Sequence, residues 1–180
     1  MNLKKVFRIF NKLLRNLDWE AAKVFLSHPW FTPPTVWSTI ESIMLAEEKF
    51  EDDPDKNGPA NAYRHALWNI LISHYCSKIS SDEKALKWAK DITDLHEKLF
   101  PNNDFDCEMD LHNNATGRQI YLETVKSGIR KKVALINELD KKVSEATALT
   151  DTAEFSKYRG KLVYFPVELR KPKERTDKNN

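Results

Sequence analysis

Apolar residues recur at alternating four- and three-residue steps over long stretches of this chain, and this periodicity restricts its fold more than any other feature. Near the N-terminus the pattern runs through Leu3, Phe7, Phe10, Leu14 and Leu17. Such spacing places apolar side chains on one face of an α-helix. Only 4 of the 180 residues are glycine, which favours helices over a β-sandwich or barrel. The sequence therefore predicts an all-α helical bundle.

Three antiparallel helices are predicted in the central part of the chain, near 59–77, 82–100 and 110–149. Pro59 suits the first turn of the first helix, and the serines before Asp82 can cap the second, which Pro101 ends. The third helix is expected to continue past Gly128, because apolar residues at helical spacing extend from Val125 to residue 143. A strand-like stretch is expected at 161–169.

Length and charge limit the class of protein. A chain of 180 residues suits one domain, expected at 1–170, with a charged and disordered tail at 171–180. A formal net charge of +2 gives no field that favours nucleic acid, so no nucleic-acid partner is expected. No apolar run is long enough for a transmembrane segment, and no secretory signal is evident. Synthesis in the cytoplasm is expected, and export without a cleavable signal stays open.

Two cysteines, Cys76 and Cys107, are too few for a disulfide framework and lack the spacing of a redox or zinc motif. We expect both to be free, because the predicted layout places them at opposite ends of the bundle.

The predicted N-terminal helix at 3–17 is amphipathic and basic. Lysine and arginine side chains lie mostly opposite its apolar stripe. A helix of this kind can contact a membrane surface or a protein partner. The alternative is that its apolar stripe packs on the rest of the domain, as such stripes usually do.

Polar residues that are far apart in sequence should meet at one end of the bundle. Short connections make the three central helices antiparallel neighbours, so the start of the first, the end of the second and the start of the third converge. At about 100° per residue, His65, His96 and Asp110 face inward together. The other candidate residues around them are Tyr63, Arg64, Trp68, Asn69, Glu97, Asn113, Asn114 and Arg118.

These residue types suit hydrolytic chemistry. Two histidines and one carboxylate, here His65, His96 and Asp110, can bind a catalytic divalent metal such as zinc. Without a metal, the same groups with Glu97, Asn113 and Asn114 can perform acid–base catalysis. Substrate contacts are then expected from Tyr63, Arg64, Trp68, Asn69 and Arg118. The two arginines would hold an anion.

A structural interpretation of the same residues stays open. The histidines could hydrogen-bond to Asp110 and the asparagines and so fix the register of the helices. His112 is a doubtful metal ligand, since it faces away from Asp110 on a regular helix. Gly117, on the inward face, indicates a close helix approach or room for a ligand.

Three pieces of the sequence contain most of the candidate residues: the segment GPANAYRHALWN at 58–69, the pair His96-Glu97 and the segment MDLHNNATGR at 109–118. Together they resemble an uncharacterised family of bacterial all-helical domains that is sometimes found in polymorphic-toxin-like proteins. The resemblance implies that eight residues are hallmark positions of the family: His65, His96, Glu97, Asp110, His112, Asn113, Asn114 and Arg118. It implies no particular reaction.

The sequence therefore leaves two alternative functions, which belong to different classes. The first is a hydrolase, metal-assisted or acid–base, with an effector-like or toxin-like role left open, acting on a small-molecule, lipid or cell-envelope substrate. The second is a non-catalytic binding or immunity-type protein with a structural polar network. The sequence has no nucleotide-binding glycine-rich loop, G-x-S-x-G elbow or H-E-x-x-H helix, which disfavours those enzyme classes.

Overall fold

The computed structural model describes residues 3–15, 18–51, 58–100 and 104–166. The helices are α1 Leu3–Arg15, α2 Trp19–Ser27, α3 Thr32–Lys49, α4 Pro59–Cys76, α5 Asp82–Leu99, α6 Asp104–Lys126 and α7 Lys132–Val143, followed by a 3₁₀-helix at Thr152–Tyr158. Two short strands, β1 Thr147–Ala148 and β2 Val163–Tyr164, pair in parallel. The all-α prediction is confirmed. Within these ranges, no helix combines the length and hydrophobicity needed to cross a bilayer.

Helix α4 forms the centre of the domain. It begins after Gly58 with Pro59 in its first turn, where the missing N–H of proline costs nothing. It packs against α3, α5, α6 and α7, and most of its side chains are buried. The main core surrounds Leu67, Ile70 and Leu71. Any polar side chain on the inner faces of α4 is therefore placed between helices rather than in solvent.

Helix α5 has the N-terminus that its sequence predicts. The Ser81 hydroxyl accepts a hydrogen bond from the Lys84 N–H at 3.3 Å, and two acidic residues follow in the first turn. Both features stabilise a helix N-terminus. A buried face at Ala85, Ala89 and Ile92 turns α5 toward α4.

The third predicted helix is divided into two helices, which corrects the expectation of one helix over 110–149. Helix α6 already begins at Asp104 and ends at Lys126, and Gly128 then adopts a positive φ of 84°. Glycine alone takes this conformation readily, so it stops the helix although apolar spacing continues. Helix α7 starts again at Lys132.

The C-terminal segment packs on α6. Its strand β2 lies inside the strand-like stretch predicted at 161–169, of which 167–169 falls outside the described residues. The predicted tail at 171–180 also falls outside them, as do residues 16 and 17 of the predicted N-terminal helix. Cys76 and Cys107 do not form a disulfide with each other, as expected.

Candidate functional site

Three titratable side chains from three helices meet in the interior. His65 lies near the start of α4, Glu97 near the end of α5 and Asp110 in the first part of α6. The Nδ1 atom of His65 is 3.6 Å from Oε1 of Glu97, and its Nε2 atom is 3.4 Å from Oδ1 of Asp110. The imidazole ring therefore has one carboxyl group near each of its nitrogens. We call these three residues the His–carboxylate cluster.

The His–carboxylate cluster is almost fully shielded from water. Its members are only 3–4% exposed. Burial of a charged group without partners costs several kcal/mol, so a cluster of this kind needs hydrogen bonds and countercharges around it.

Asn61 and Arg64 supply such contacts on the α4 side. The Asn61 amide donates a hydrogen bond to Oδ1 of Asp110 at 2.7 Å. The Arg64 guanidinium donates to Oδ1 of Asn61 at 2.5 Å and approaches Nε2 of His65 at 3.0 Å. Because a guanidinium can only donate, Nε2 of His65 must accept, and the proton of the neutral ring then resides on Nδ1, toward Glu97.

A second set of hydrogen bonds holds Glu97. The Asn114 amide donates to Oε1 of Glu97 at 3.3 Å, and the Asn69 amide donates to Oδ1 of Asn114 at 2.7 Å. Arg118 completes the chain by donating to Oδ1 of Asn69 at 2.7 Å, where the Thr93 hydroxyl also donates at 3.3 Å. The carboxyl group of Glu97 is therefore positioned from α4 and α6 as well as from its own helix.

Burial changes the protonation of all three cluster residues. It raises the pKa of Glu97 to about 7, with a further increase from the nearby Asp110 and a decrease from the Asn114 hydrogen bond. Burial likewise raises the pKa of Asp110 to about 7, against the opposing effects of Arg64 and Asn61. The pKa of His65 lies well below its ordinary value, mainly because of burial and then because of Arg64. Near neutral pH the ring is uncharged, while each carboxyl group can gain or lose a proton.

One nitrogen of the cluster is left without a regular partner. The Nδ1 atom of His65 is buried and makes no hydrogen bond of normal geometry, although the Asn114 amide lies nearby. Buried polar groups in native proteins are nearly always hydrogen-bonded, so an exception points to strain, function or a missing partner.

His96 does not join the cluster in the way its helical position suggested. Its ring packs against Trp68 and Phe100, with ring centres 5.2 and 5.1 Å away. Burial lowers its pKa to about 4. The predicted metal set of His65, His96 and Asp110 is thus replaced by one in which Glu97 takes the place of His96.

Two predicted residues of α6 are directed to the C-terminal segment instead. The Asn113 amide donates to the Val163 carbonyl at 2.9 Å, and its oxygen accepts from the Val163 N–H at 3.0 Å. His112 contacts the Lys161 carbonyl through Nε2 at 3.0 Å. Both side chains bind the backbone around β2, in agreement with the expectation that His112 faces away from Asp110.

The two aromatic candidates lie on different sides of α4. Tyr63 is buried in the core against Phe50, with ring centres 5.4 Å apart. Trp68 donates its indole N–H to the Thr39 hydroxyl at 2.9 Å and lines a cavity. Of these two aromatic residues, only Trp68 lies where it can contact a ligand in the cavity.

A large apolar cavity adjoins the cluster. Its volume is about 1080 Å³, and its walls come from α1, α2, α3, α4 and α5. Arg64, His65 and His96 form part of the wall. The sequence pattern did not reveal this cavity, since it depends on how α1–α3 pack over α4 and α5. The apolar stripes of those helices were visible, but not the space between them.

The cluster also forms a set of possible metal ligands. One ligand atom from each of His65, Glu97 and Asp110 lies within 4.8 Å of the others, and all three residues are buried. Histidine nitrogen and carboxylate oxygen are ordinary zinc ligands, and the unpaired Nδ1 atom of His65 offers a lone pair in the tautomer that carries the ring proton on Nε2, toward Asp110. The donor set fits one divalent ion.

The fold and the site define an all-α domain with a buried histidine–carboxylate cluster at the junction of three helices. The chain belongs to the family described as Domain of unknown function (DUF6973), which matches residues 22–147. This range contains the whole cluster and its hydrogen-bond partners, and begins after α1. No curated protein and no solved structure matches the chain.

Proposed function

We propose that this protein is a hydrolase whose reaction takes place where His65 meets the apolar cavity. The observation that carries the proposal is the cluster itself: a neutral histidine on the cavity wall between two carboxyl groups whose pKa values lie near 7. Groups with perturbed pKa values in a cleft are typical of catalytic sites. The best catalytic pKa also lies near the working pH.

In the proposed reaction His65 takes a proton from the attacking water. A neutral imidazole can accept this proton, and the imidazolium that forms would be stabilised by the ionised carboxylate of Glu97 or Asp110, at 3.6 or 3.4 Å. Arg64 now donates to Nε2 of His65. A substrate oxygen that took over this donor would free the nitrogen and would have its developing negative charge stabilised.

A metal-assisted version uses the same residues. His65, Glu97 and Asp110 would hold the ion, which supplies an activated water and a Lewis acid when bound. Metal analysis of protein purified without a histidine tag, before and after dialysis against a chelator, tests this version. It requires about one zinc or similar ion per chain and a decrease of that content in His65→Gln.

The hydrolase proposal is tested by assaying a panel of carboxylic and phosphoric esters with wild type, His65→Gln and the matched variant His74→Gln. His74 lies on the same helix, is also buried and packs beside Tyr75, away from the cluster. We expect a loss of at least about 100-fold in His65→Gln, because a general base typically contributes 10²–10⁴-fold. Equal activity in the two variants would contradict the proposal.

A non-catalytic binding or immunity-type function is the second candidate. It is favoured by the hydrogen bonds that join Asn69, Asn114 and Arg118, since these satisfy one another without any ligand. On this alternative, His65→Gln should lower the free energy of unfolding by ~1–3 kcal/mol and no ester should be hydrolysed. An effector-like or toxin-like role stays a prediction from the sequence resemblance.

A further inference from the structure

The cavity beside His65 has the size and polarity of a site for a long apolar ligand. Its volume of about 1080 Å³ lies just above the ~300–1,000 Å³ that small-molecule sites occupy. Most of its wall is formed by aliphatic and aromatic side chains, among them Ile9, Phe25, Val36, Ile43 and Leu95. An apolar space of this size is not needed for a small polar substrate.

The cavity is partly open to solvent, and exposed apolar side chains of α1 and α2 lie in its wall. Leu14 and Leu26 line it and are still 55% and 73% exposed. Other large apolar side chains are exposed on these helices, including Phe7 and Trp19 at 66% and 67%. A group of exposed apolar side chains beside a cavity indicates that the protein binds an apolar ligand or surface. Single exposed apolar side chains carry no such indication.

Helix α1, which forms part of this wall, is basic. It carries Lys4, Lys5, Arg8, Lys12 and Arg15 and no acidic residue. Arg8 and Lys12 line the cavity, while Lys5 pairs at 2.8 Å with Glu47 of α3, which also lines it. An amphipathic helix with a basic polar face binds anionic membrane surfaces, at about 1 kcal/mol per basic residue near the surface. The basic side chains and the exposed apolar side chains therefore favour the same kind of ligand, one that is both anionic and apolar.

We propose that the cavity binds an acyl chain of an anionic phospholipid taken from a membrane surface, with α1 at the surface and the ester group beside His65 and Arg64. The role of this lipid as a substrate rests on the proposed hydrolase function. In that reaction the water oxygen bonds to the ester carbonyl carbon while His65 takes the water proton. The bond from that carbon to the alcohol oxygen breaks, and the proton passes to this oxygen. The products are a fatty acid and a lysophospholipid.

Binding is tested separately from hydrolysis by using the His65→Gln protein. Titration calorimetry with decanoate, dodecanoate and tetradecanoate measures whether the cavity takes the chain. Each additional buried CH₂ contributes ~0.8 kcal/mol, so the affinity should rise about fourfold per methylene. The substitution Val36→Trp fills the cavity and should weaken tetradecanoate binding at least about tenfold. Its control is Val133→Trp, since Val133 is 67% exposed on α7. If Val36→Trp does not fold, Ala22→Phe replaces it, as Ala22 also lines the cavity.

Membrane selection is tested by flotation with vesicles of phosphatidylglycerol or of phosphatidylcholine alone. Wild type should bind the anionic vesicles at least about tenfold more strongly. The double variant Arg8→Glu/Lys12→Glu should lose this preference, whereas Lys126→Glu/Lys131→Glu, on the exposed surface between α6 and α7, should keep it.

The outcomes separate the two proposals. Fatty-acid binding without chain-length dependence, or equal binding to both kinds of vesicle, overturns the lipid proposal even if soluble esters are hydrolysed. Chain-length-dependent binding and anionic preference, with no fatty acid released from phosphatidylglycerol vesicles by wild type, support the lipid site and remove the hydrolase function. Binding together with His65-dependent release supports both.

Discussion

The close approach of α4 and α6 at Gly117 gives a prediction whose size follows from the structure. A Cβ atom at this position would lie 2.2 Å from the Ala66 carbonyl oxygen and 2.7 Å from the Ala66 Cα. Ordinary carbon–oxygen contacts are about 3.3 Å or longer, so Gly117→Ala requires the helices to separate by about 1 Å. Both atoms at Ala66 belong to helix backbone, which cannot move aside by a rotamer change.

Separation of α4 and α6 would also open the hydrogen bond between Asn69 and Asn114. It now measures 2.7 Å, and an increase of about 1 Å exceeds the usual limit near 3.2 Å. Overpacking costs ~1–3 kcal/mol, and an unsatisfied buried amide costs a similar amount. We expect Gly117→Ala to lower the free energy of unfolding by about 2–6 kcal/mol. At about 2–4 °C per kcal/mol, Tm should fall by ~4–24 °C.

Urea unfolding and calorimetry measure this loss, and Gly128→Ala is the matched control. A Cβ atom added at Gly128 would meet no atom within 4 Å, but this residue has a φ of 84°. Its substitution should cost only the ~1–2 kcal/mol of left-handed strain. A loss in Gly117→Ala no larger than in Gly128→Ala would refute the argument that the helices are in contact at Gly117.

Three further predictions concern the site and its surroundings. His96→Ala should lower hydrolysis by about tenfold or less, because His96 lines the cavity but lies outside the His–carboxylate cluster, and His74→Ala should preserve hydrolysis. Kinetic assays measure both effects, and a loss in His96→Ala as large as that in His65→Gln would show that His96 belongs to the catalytic machinery. Glu97→Gln should become more stable relative to wild type as pH rises from about 4.5 to 7. Over this range the carboxyl group ionises in the unfolded chain, where its pKa is near 4.5, while the fold keeps it protonated up to about 7, so wild type loses stability and the variant does not. Urea titrations at both pH values measure the difference, and a constant difference would contradict it. Asn113→Ala should speed hydrogen exchange at the Val163 amide, since this N–H loses its acceptor, and unchanged protection would show that the pairing is unimportant.

The convergence of α4, α5 and α6 could be expected from sequence because it depends on local rules. Short connections make successive helices antiparallel, and a helical repeat of 3.6 residues assigns each side chain to a face. These rules were sufficient to place His65 and Asp110 together. They could not decide between His96 and Glu97, which are adjacent and about 100° apart. A modest rotation of α5 during packing moves one toward the cluster and the other toward Trp68.

Other features depend on contacts between residues far apart in the chain. The Asn113 side chain pairs with the Val163 backbone across 50 positions, and no helical pattern specifies such a partner. The division of α6 from α7 was missed for another reason. The apolar spacing continues through Gly128, and the positive φ of this residue outweighs the periodicity.

The charge balance of the cluster explains how two acids can be buried beside one histidine. With both pKa values near 7, Glu97 and Asp110 together carry about one negative charge at neutral pH. Arg64, whose guanidinium stays protonated, supplies about one positive charge next to them. The buried group is then close to neutral overall, which limits the cost of desolvation. The same balance leaves about one proton on the two carboxyl groups together, which lie on either side of a neutral ring in the cavity wall. This proton lowers the net charge and therefore also suits a structural network. A network that only joins helices does not require its histidine to line a cavity, whereas the proposed proton transfer to and from a bound substrate does.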